Sequence, residues 1–241
     1  MKLIARSRYH TKNTPKDTYD SLLLAIHTDY IDGVEVNLQI TKDNVIVVYQ
    51  TESMYNHPNH TISNLTYKEL QEYNLGSKVS QHSILTLEKT LELFNGATKM
   101  LILNLNNQGE NNSNFVQAVL DLVNNYPNDN IYIKSPCKEI ILEMRENIQK
   151  AKLGAVIMSL EPYFWNLNLD FYSISIQKTK VTECSKYIQK QLETNHFVML
   201  EDIVDFSIYN DIRNSLGETI VDNSYIITSN VVNLAQDYYQ D

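Results

Sequence analysis

The 241-residue chain has only two cysteines, Cys137 and Cys184. Thiols so far apart make a poor disulfide framework, so both read as small apolar residues in a reducing, cytoplasmic setting. No apolar run approaches the ~20 residues needed to cross a bilayer, so no membrane segment is expected. A strand pattern, Lys2–Arg6, follows Met1 almost at once, so no signal peptide is expected either. Positive charge is in the minority, with 20 Lys and Arg against 29 Asp and Glu and a formal net charge of −9. That balance argues against a nucleic-acid or anionic-membrane surface, and any anion site has to be local. Glycine is scarce at six residues while tyrosine reaches 16, so the loops are expected to turn on Asn and Asp. There is no Pro/Gly/Ser-rich linker, no repeat and no low-complexity tract, which points to one domain over residues 1–241.

What is present is a hydrophobic content of 43%, ample for a sizeable core, in alternating strand and helix patterns. Strands are expected at Lys2–Arg6, Asp32–Gln39, Asn44–Tyr49, Lys99–Leu105, Asn130–Lys134, Leu153–Met158, Asp170–Ile176, His196–Leu200 and Tyr225–Thr228. Helices are expected at Thr18–His27, Thr86–Phe94, Ser113–Asn125, from Ser135–Pro136 to about Ala151, from Glu161–Pro162, at Thr182–Thr194, Asp205–Leu216 and Asn230–Tyr239. This alternation implies parallel βαβ units, and the strand number fits a (β/α)8 TIM-type barrel. The surplus strand is explained if the polar turn Thr41–Asn44 makes Asn44–Tyr49 a hairpin excursion. A polar insertion at about 50–83 carries one short helix, Thr66–Tyr73, opened by a Thr66/Glu69 capping box.

The stretch Asp32–Gln50 is the one around which the rest is arranged. Its first strand places Glu35 and Asn37 on one face, because strand side chains alternate. Arg6 ends the preceding strand, and neighbouring strands lie ~4.8 Å apart, so Arg6 is within reach of Glu35. Such a pair would satisfy a buried carboxylate and fill the room a cation would take.

The order of segments resembles the glycerophosphodiester phosphodiesterase family. Its His-Arg-Gly strand corresponds to Leu3-Ile4-Ala5-Arg6-Ser7-Arg8, with His-Arg-Gly falling on Arg6-Ser7-Arg8, and its Pro-Glu-Asn-Thr helix start to Pro15-Lys16-Asp17-Thr18. Its Glu-x-Asp, Thr-Lys-Asp-Gly and His-Asp motifs correspond to Glu35-Val36-Asn37, Thr41-Lys42-Asp43-Asn44 and Tyr49-Gln50. Ser63–Leu70 resembles its insertion helix, Ile84–Glu88 its Ile-Pro-Thr-Leu-Glu segment, Asn104-Leu105-Asn106 its Glu-x-Lys, and Tyr225–Asn230 its Ile-Ile-Thr-Asp-x-Pro. The match covers Lys2–Asn106 and the last strand and is thin from Pro127 to Gly217. The resemblance implies a lipid-metabolic phosphoric diester hydrolase, with two catalytic histidines, three carboxylates on a divalent Mg or Ca ion, and Arg and Lys on phosphate.

Carried over position by position, the histidines become Arg6 and Tyr49. The metal carboxylates become Glu35, Asn37 and Asn104, and the phosphate-binding Arg and Lys become Ser7 and Asn106. A guanidinium stays protonated and is no base, and a phenol of pKa ~10 is a poor one near neutrality. The expectation is therefore a degenerate, pseudoenzyme-like barrel needing no cofactor. It would bind a phosphorylated polyol, a lipid headgroup such as a glycerophosphodiester, or a protein partner through Arg6, Glu35, Tyr49 and Lys134. Two alternatives remain: an active hydrolase with an altered metal and acid–base site, and an interaction domain whose mouth is irrelevant.

Other residues carry plainer readings. His57 and His60 read as a solvated loop rather than a metal pair. Ser135 reads as a helix N-cap rather than a nucleophile, and Lys134 is read more readily as a surface lysine than as an anion ligand. Tyr163, Phe164 and Trp165 read as packing of a short helix, and Glu201 and Asp202 as an acidic patch or solvated loop charge. Arg8, His10 and Lys12 lend a weak basic character to the first loop.

Overall fold

The computed structural model describes residues 1–6, 14–55, 57–76, 80–158, 167–175, 181–194 and 196–240. Twelve strands occur among them: β1 Lys2–Arg6, β2 Gly33–Ile40, β3 Ile46–Val48, β4 Ser53–Met54, β5 His57–Thr61, β6 Leu85–Thr86, β7 Met100–Leu105, β8 Ile131–Ser135, β9 Lys152–Ile157, β10 Phe171–Ser175, β11 Phe197–Glu201 and β12 Tyr225–Thr228. Eight of these are parallel and close on themselves in the order β1-β2-β7-β8-β9-β10-β11-β12, with β12 pairing back onto β1. Helices follow the strands, as at Tyr19–Ile26, Leu87–Phe94, Asn112–Asn124, Lys138–Asn147, Val181–Glu193, Phe206–Leu216 and Val231–Gln240. The architecture is a (β/α)8 barrel.

The expected hairpin excursion is present, because β3 runs antiparallel to β2 and pairs with β6 rather than entering the barrel. Asn44, at φ 61°, supplies the turn that a glycine-poor chain gives to asparagine. Alternation divides the apolar residues between two cores. Leu3, Ala5, Val34, Leu101 and Leu103 face the helical shell, while Ile4, Ile102, Phe171, Met199 and Ile227 fill the barrel. The interior is tight. A Cβ added at Gly154 would come within 2.5 Å of the Phe171 ring. At the bottom of the barrel Lys2 and Lys152 lie over the rings of Tyr225 and Tyr132, at 5.0 and 5.1 Å.

Three readings of the sequence need correction. Ser135 is the last residue of β8 and caps no helix. Its hydroxyl donates to the Leu105 carbonyl at 2.6 Å and accepts from the Cys137 N–H at 3.0 Å, closing a turn that delays the helix to Lys138. That helix stops at Asn147 instead of Ala151, because Asn124 of the neighbouring helix binds both the Asn147 carbonyl and the Gln149 N–H. The insertion is more ordered than a polar loop. It holds the β4–β5 hairpin over a small core of Val47, Tyr49, Met54, Ile62, Leu70 and Ile84. His57 and His60 are exposed on β5, with rings 5.4 Å apart. The Thr66/Glu69 capping box is present, on a helix shortened to Tyr67–Leu70.

Among the described residues, no helix is long and apolar enough to cross a membrane. Ser7, Arg8, His10, Lys12, the segment Glu161–Trp165 and the side chain of Cys184 lie outside the described residues or side chains. Cys137 is a free, half-buried thiol, and burial pushes its pKa up.

Candidate functional site

Parity and register bring the polar strand ends together at the C-terminal mouth of the barrel. Arg6 stands beside Glu35 across β1 and β2. Asn37, Asn104 and Lys134 form one row across β2, β7 and β8. Ser175 stands beside Glu201 across β10 and β11. Consecutive strand residues point to opposite faces, so Glu201 and Asp202 could not both turn inward from an extended chain. Asp202 adopts a left-handed conformation, φ 69°, just past the end of β11, and both carboxylates reach Arg6.

The result is a closed lattice of charge. Arg6 donates through Nη2 to Glu201 Oε2 and through Nη1 to Asp202 Oδ1, each at 2.7 Å, and its Nε lies 3.1 Å from Glu35 Oε1. Lys134 is fully buried. Its Nζ lies 2.6 Å from Glu35 Oε2, 2.7 Å from Glu201 Oε1 and 3.2 Å from Ser173 Oγ. The two Glu35 contacts lie off the hydrogen-bond axis, so charge rather than directed hydrogen bonding holds them. Ser173 donates in turn to Glu201, and Ser175 to Asp202 at 2.9 Å. Beside this lattice the Asn104 amide donates to Asn37 Oδ1 at 2.7 Å, and Asn104 Oδ1 is buried without a hydrogen-bond partner.

The electrostatics follow from burial and pairing. Burial opposes the charge on Arg6, but Glu35, Glu201 and Asp202 outweigh it and hold the guanidinium more firmly protonated than usual. Burial likewise works against ionised Glu201. Lys134 and Arg6 overcome it and draw the carboxyl pKa down to about 2. Two cations face three carboxylates here, so the lattice carries a formal −1. Above it is a cavity of about 240 Å³, lined by Asn37, Gln50, Asn104, Asn106, Ser175 and the lattice itself.

Of the residues singled out from sequence, Arg6, Glu35, Asn37, Asn104 and Lys134 come together at the mouth. Lys134 is a correction: it is no surface lysine but the innermost cation of the lattice. Glu201 and Asp202 are likewise no solvated loop charge; Glu201 is 7% exposed and both carboxylates are paired. Ser173 drew no notice in the sequence, since a serine in an apolar strand gives no signal of what it faces. Tyr49 is placed elsewhere. It packs into the small core of the insertion, accepts the Tyr55 N–H at 3.0 Å, and is pushed by burial up to about 12. Its cavity is a second one of about 780 Å³ between the insertion and Pro15–Lys16.

Comparison with known proteins gives the following. The model of the glycerophosphoryl diester phosphodiesterase family matches residues 8–205. An uncharacterised protein of Mycoplasma genitalium is 26% identical over 157 residues, which is 62% of this chain and 66% of that protein, just under two thirds of its length. A crystal structure of a glycerophosphodiester phosphodiesterase from Parabacteroides distasonis superposes with a TM-score of 0.81 at 18% identity, over 99% of this chain and 97% of that one. A phosphodiesterase from Oleispira antarctica, in complex with its product sn-glycerol-3-phosphate, also gives 0.81, at 16% identity over 100% and 97% of the two chains. These structural likenesses speak for the fold.

Proposed function

The chain belongs to the glycerophosphoryl diester phosphodiesterase family, and we propose that it is a non-catalytic member whose barrel mouth binds a phosphorylated polyol or lipid headgroup. The observation that carries this reading is the charge lattice. Glu35, the one carboxylate left at the family's metal positions, has Arg6 on one oxygen and Lys134 on the other. The divalent ion that the resemblance implies wants charged oxygen donors. The residues present do not fit it: both Glu35 oxygens already face cations, and Asn37 and Asn104 are neutral amides bonded to each other. Neither residue at the family's acid–base positions is suited to act as the base, since Arg6 is held protonated and Tyr49 lies in the second cavity with its pKa raised. The amides of Asn37, Gln50, Asn104 and Asn106 and the partly exposed Arg6 remain as donors and acceptors for hydroxyl and phosphoryl oxygens.

The test uses sn-glycerol-3-phosphate and a glycerophosphodiester, with Mg²⁺, Ca²⁺ or EDTA, on the protein and on Glu35→Gln. The expected result is no turnover, no effect of metal or chelator on the melting temperature, and stabilisation by ligand. A ligand at a hundredfold its Kd adds about 2.7 kcal/mol, which is roughly 5–10 °C for a domain of this size. Metal-dependent turnover abolished by Glu35→Gln would establish the active hydrolase instead. Neither turnover nor a thermal shift would leave an interaction domain.

A further inference from the structure

The cavity beneath the insertion has no part in the charge lattice, yet it is the larger of the two. Its volume of about 780 Å³ lies within the range of small-molecule sites, about 300–1,000 Å³. Its walls are mostly apolar and aromatic, with Met54, Leu75, Pro15 and the rings of Tyr49, Tyr55 and Tyr73, and His57 and Asn74 add polar edges. Lys16 and Glu72 also line it and cancel formally. The walls are anchored, because Tyr49 and Met54 belong to the buried core of the insertion and Tyr73 and Leu75 pack against it.

The two cavities share a partition. Tyr55 lines the large cavity, and its phenol donates at 3.0 Å to Oε1 of Gln50, which lines the mouth. Tyr49 and Gln50 are chain neighbours that face the two cavities separately. The Tyr55–Gln50 hydrogen bond thus joins the lining of a small polar chamber to that of a larger, mostly apolar one, with Asp17 Oδ2 also 3.4 Å from the Tyr55 hydroxyl. A ligand matched to both has a polyol head and one apolar chain.

We infer that the insertion cavity is a binding site for the acyl or alkyl chain of a single-chain amphiphile whose polyol head occupies the mouth. The placement of the head rests on the function proposed above; the chain site rests on the insertion alone. Burying each methylene contributes about 0.8 kcal/mol, which is about fourfold in affinity.

The experiment is a chain-length series of 1-monoacylglycerols, butanoyl to octanoyl, below their micellar concentrations. Binding is followed by calorimetry, with glycerol, sn-glycerol-3-phosphate and octanol as controls. Affinity is expected to rise up to fourfold per methylene. Leu75→Trp, which fills the cavity, should flatten that slope and leave glycerol phosphate binding intact. Leu75→Ala, which enlarges it, should keep the slope, so a misfolded Trp variant does not end the test. A flat slope in the unaltered protein overturns the chain site while glycerol phosphate binding leaves the mouth reading standing. A steep slope shared by octanol, with no binding of either glycerol compound, confirms the chain site and overturns the mouth reading.

Discussion

Replacing Lys134 by methionine removes one positive charge and keeps most of the side-chain volume. The ammonium lies 2.6 Å from Glu35 and 2.7 Å from Glu201. At an effective dielectric of about 20, each contact is worth about 6 kcal/mol before desolvation. Desolvating the ammonium takes back several kcal/mol. The variant has no buried cation to desolvate, but it leaves two buried carboxylates sharing Arg6, and the formal charge of the lattice falls from −1 to −2. Breaking a buried pair in this way costs about 3–5 kcal/mol. Urea unfolding near neutral pH should show the midpoint falling with the slope unchanged. Adding Glu201→Gln to Lys134→Met should recover a good part of the loss, because Glu35 then has Arg6 with less competition. The gap between the protein and Lys134→Met should also narrow in acid, where the stranded carboxylates protonate. A Lys134→Met cost below about 1 kcal/mol, the range of a solvent-exposed pair, would refute the lattice as a source of stability.

Acid should unlock the mouth in a defined window. Glu201 goes from an ordinary 4.5 to about 2 in the folded protein, so the unfolded chain takes up the proton first. Its contribution of about 3 kcal/mol is complete above about pH 4.5 and is lost as pH falls toward 2. Unfolding free energies measured across that range should fall, and Glu201→Gln should flatten the slope. Deep in the barrel, Gly154→Ala should destabilise by about 1–3 kcal/mol, since its Cβ meets the Phe171 ring; Phe171→Leu in the same chain should relieve part of this in thermal melts.

The barrel was legible because alternation of strand and helix patterns can be read without any motif, and the family resemblance rests on that same order of segments. Arg6 beside Glu35 was legible as well, since two strand ends on adjacent strands need only the strand spacing. What lay beyond reach was contact between strands that are not neighbours. Lys134 on β8 meets Glu35 on β2 and Glu201 on β11 across the barrel interior. Period two says that each points inward, not that the three converge. The β4–β5 hairpin was hidden for another reason: His57–Thr61 is largely exposed, so it shows no alternation to read. Ser135 misled because a serine before proline signals an N-cap, while its hydroxyl was already committed to the Leu105 carbonyl.

The lattice also bears on why its charged residues occur together. At Arg6 alone, a guanidinium beside a single buried carboxylate would leave most of its donors unmatched. Glu201 and Asp202 supply the missing acceptors, and the left-handed backbone at Asp202 lets both carboxylates reach one guanidinium. With Glu201 drawn in, its second oxygen needs a cation, and Lys134 provides it while neutralising the second oxygen of Glu35. Ser173 then bridges Lys134 and Glu201. Each charge is thus justified by the next, and the loss of any one strands another in a buried setting. Asn37→Asp or Asn104→Glu alone would add an unpaired carboxylate beside a lattice that already carries a formal −1, and under the function proposed above neither change by itself would make the mouth a metal site.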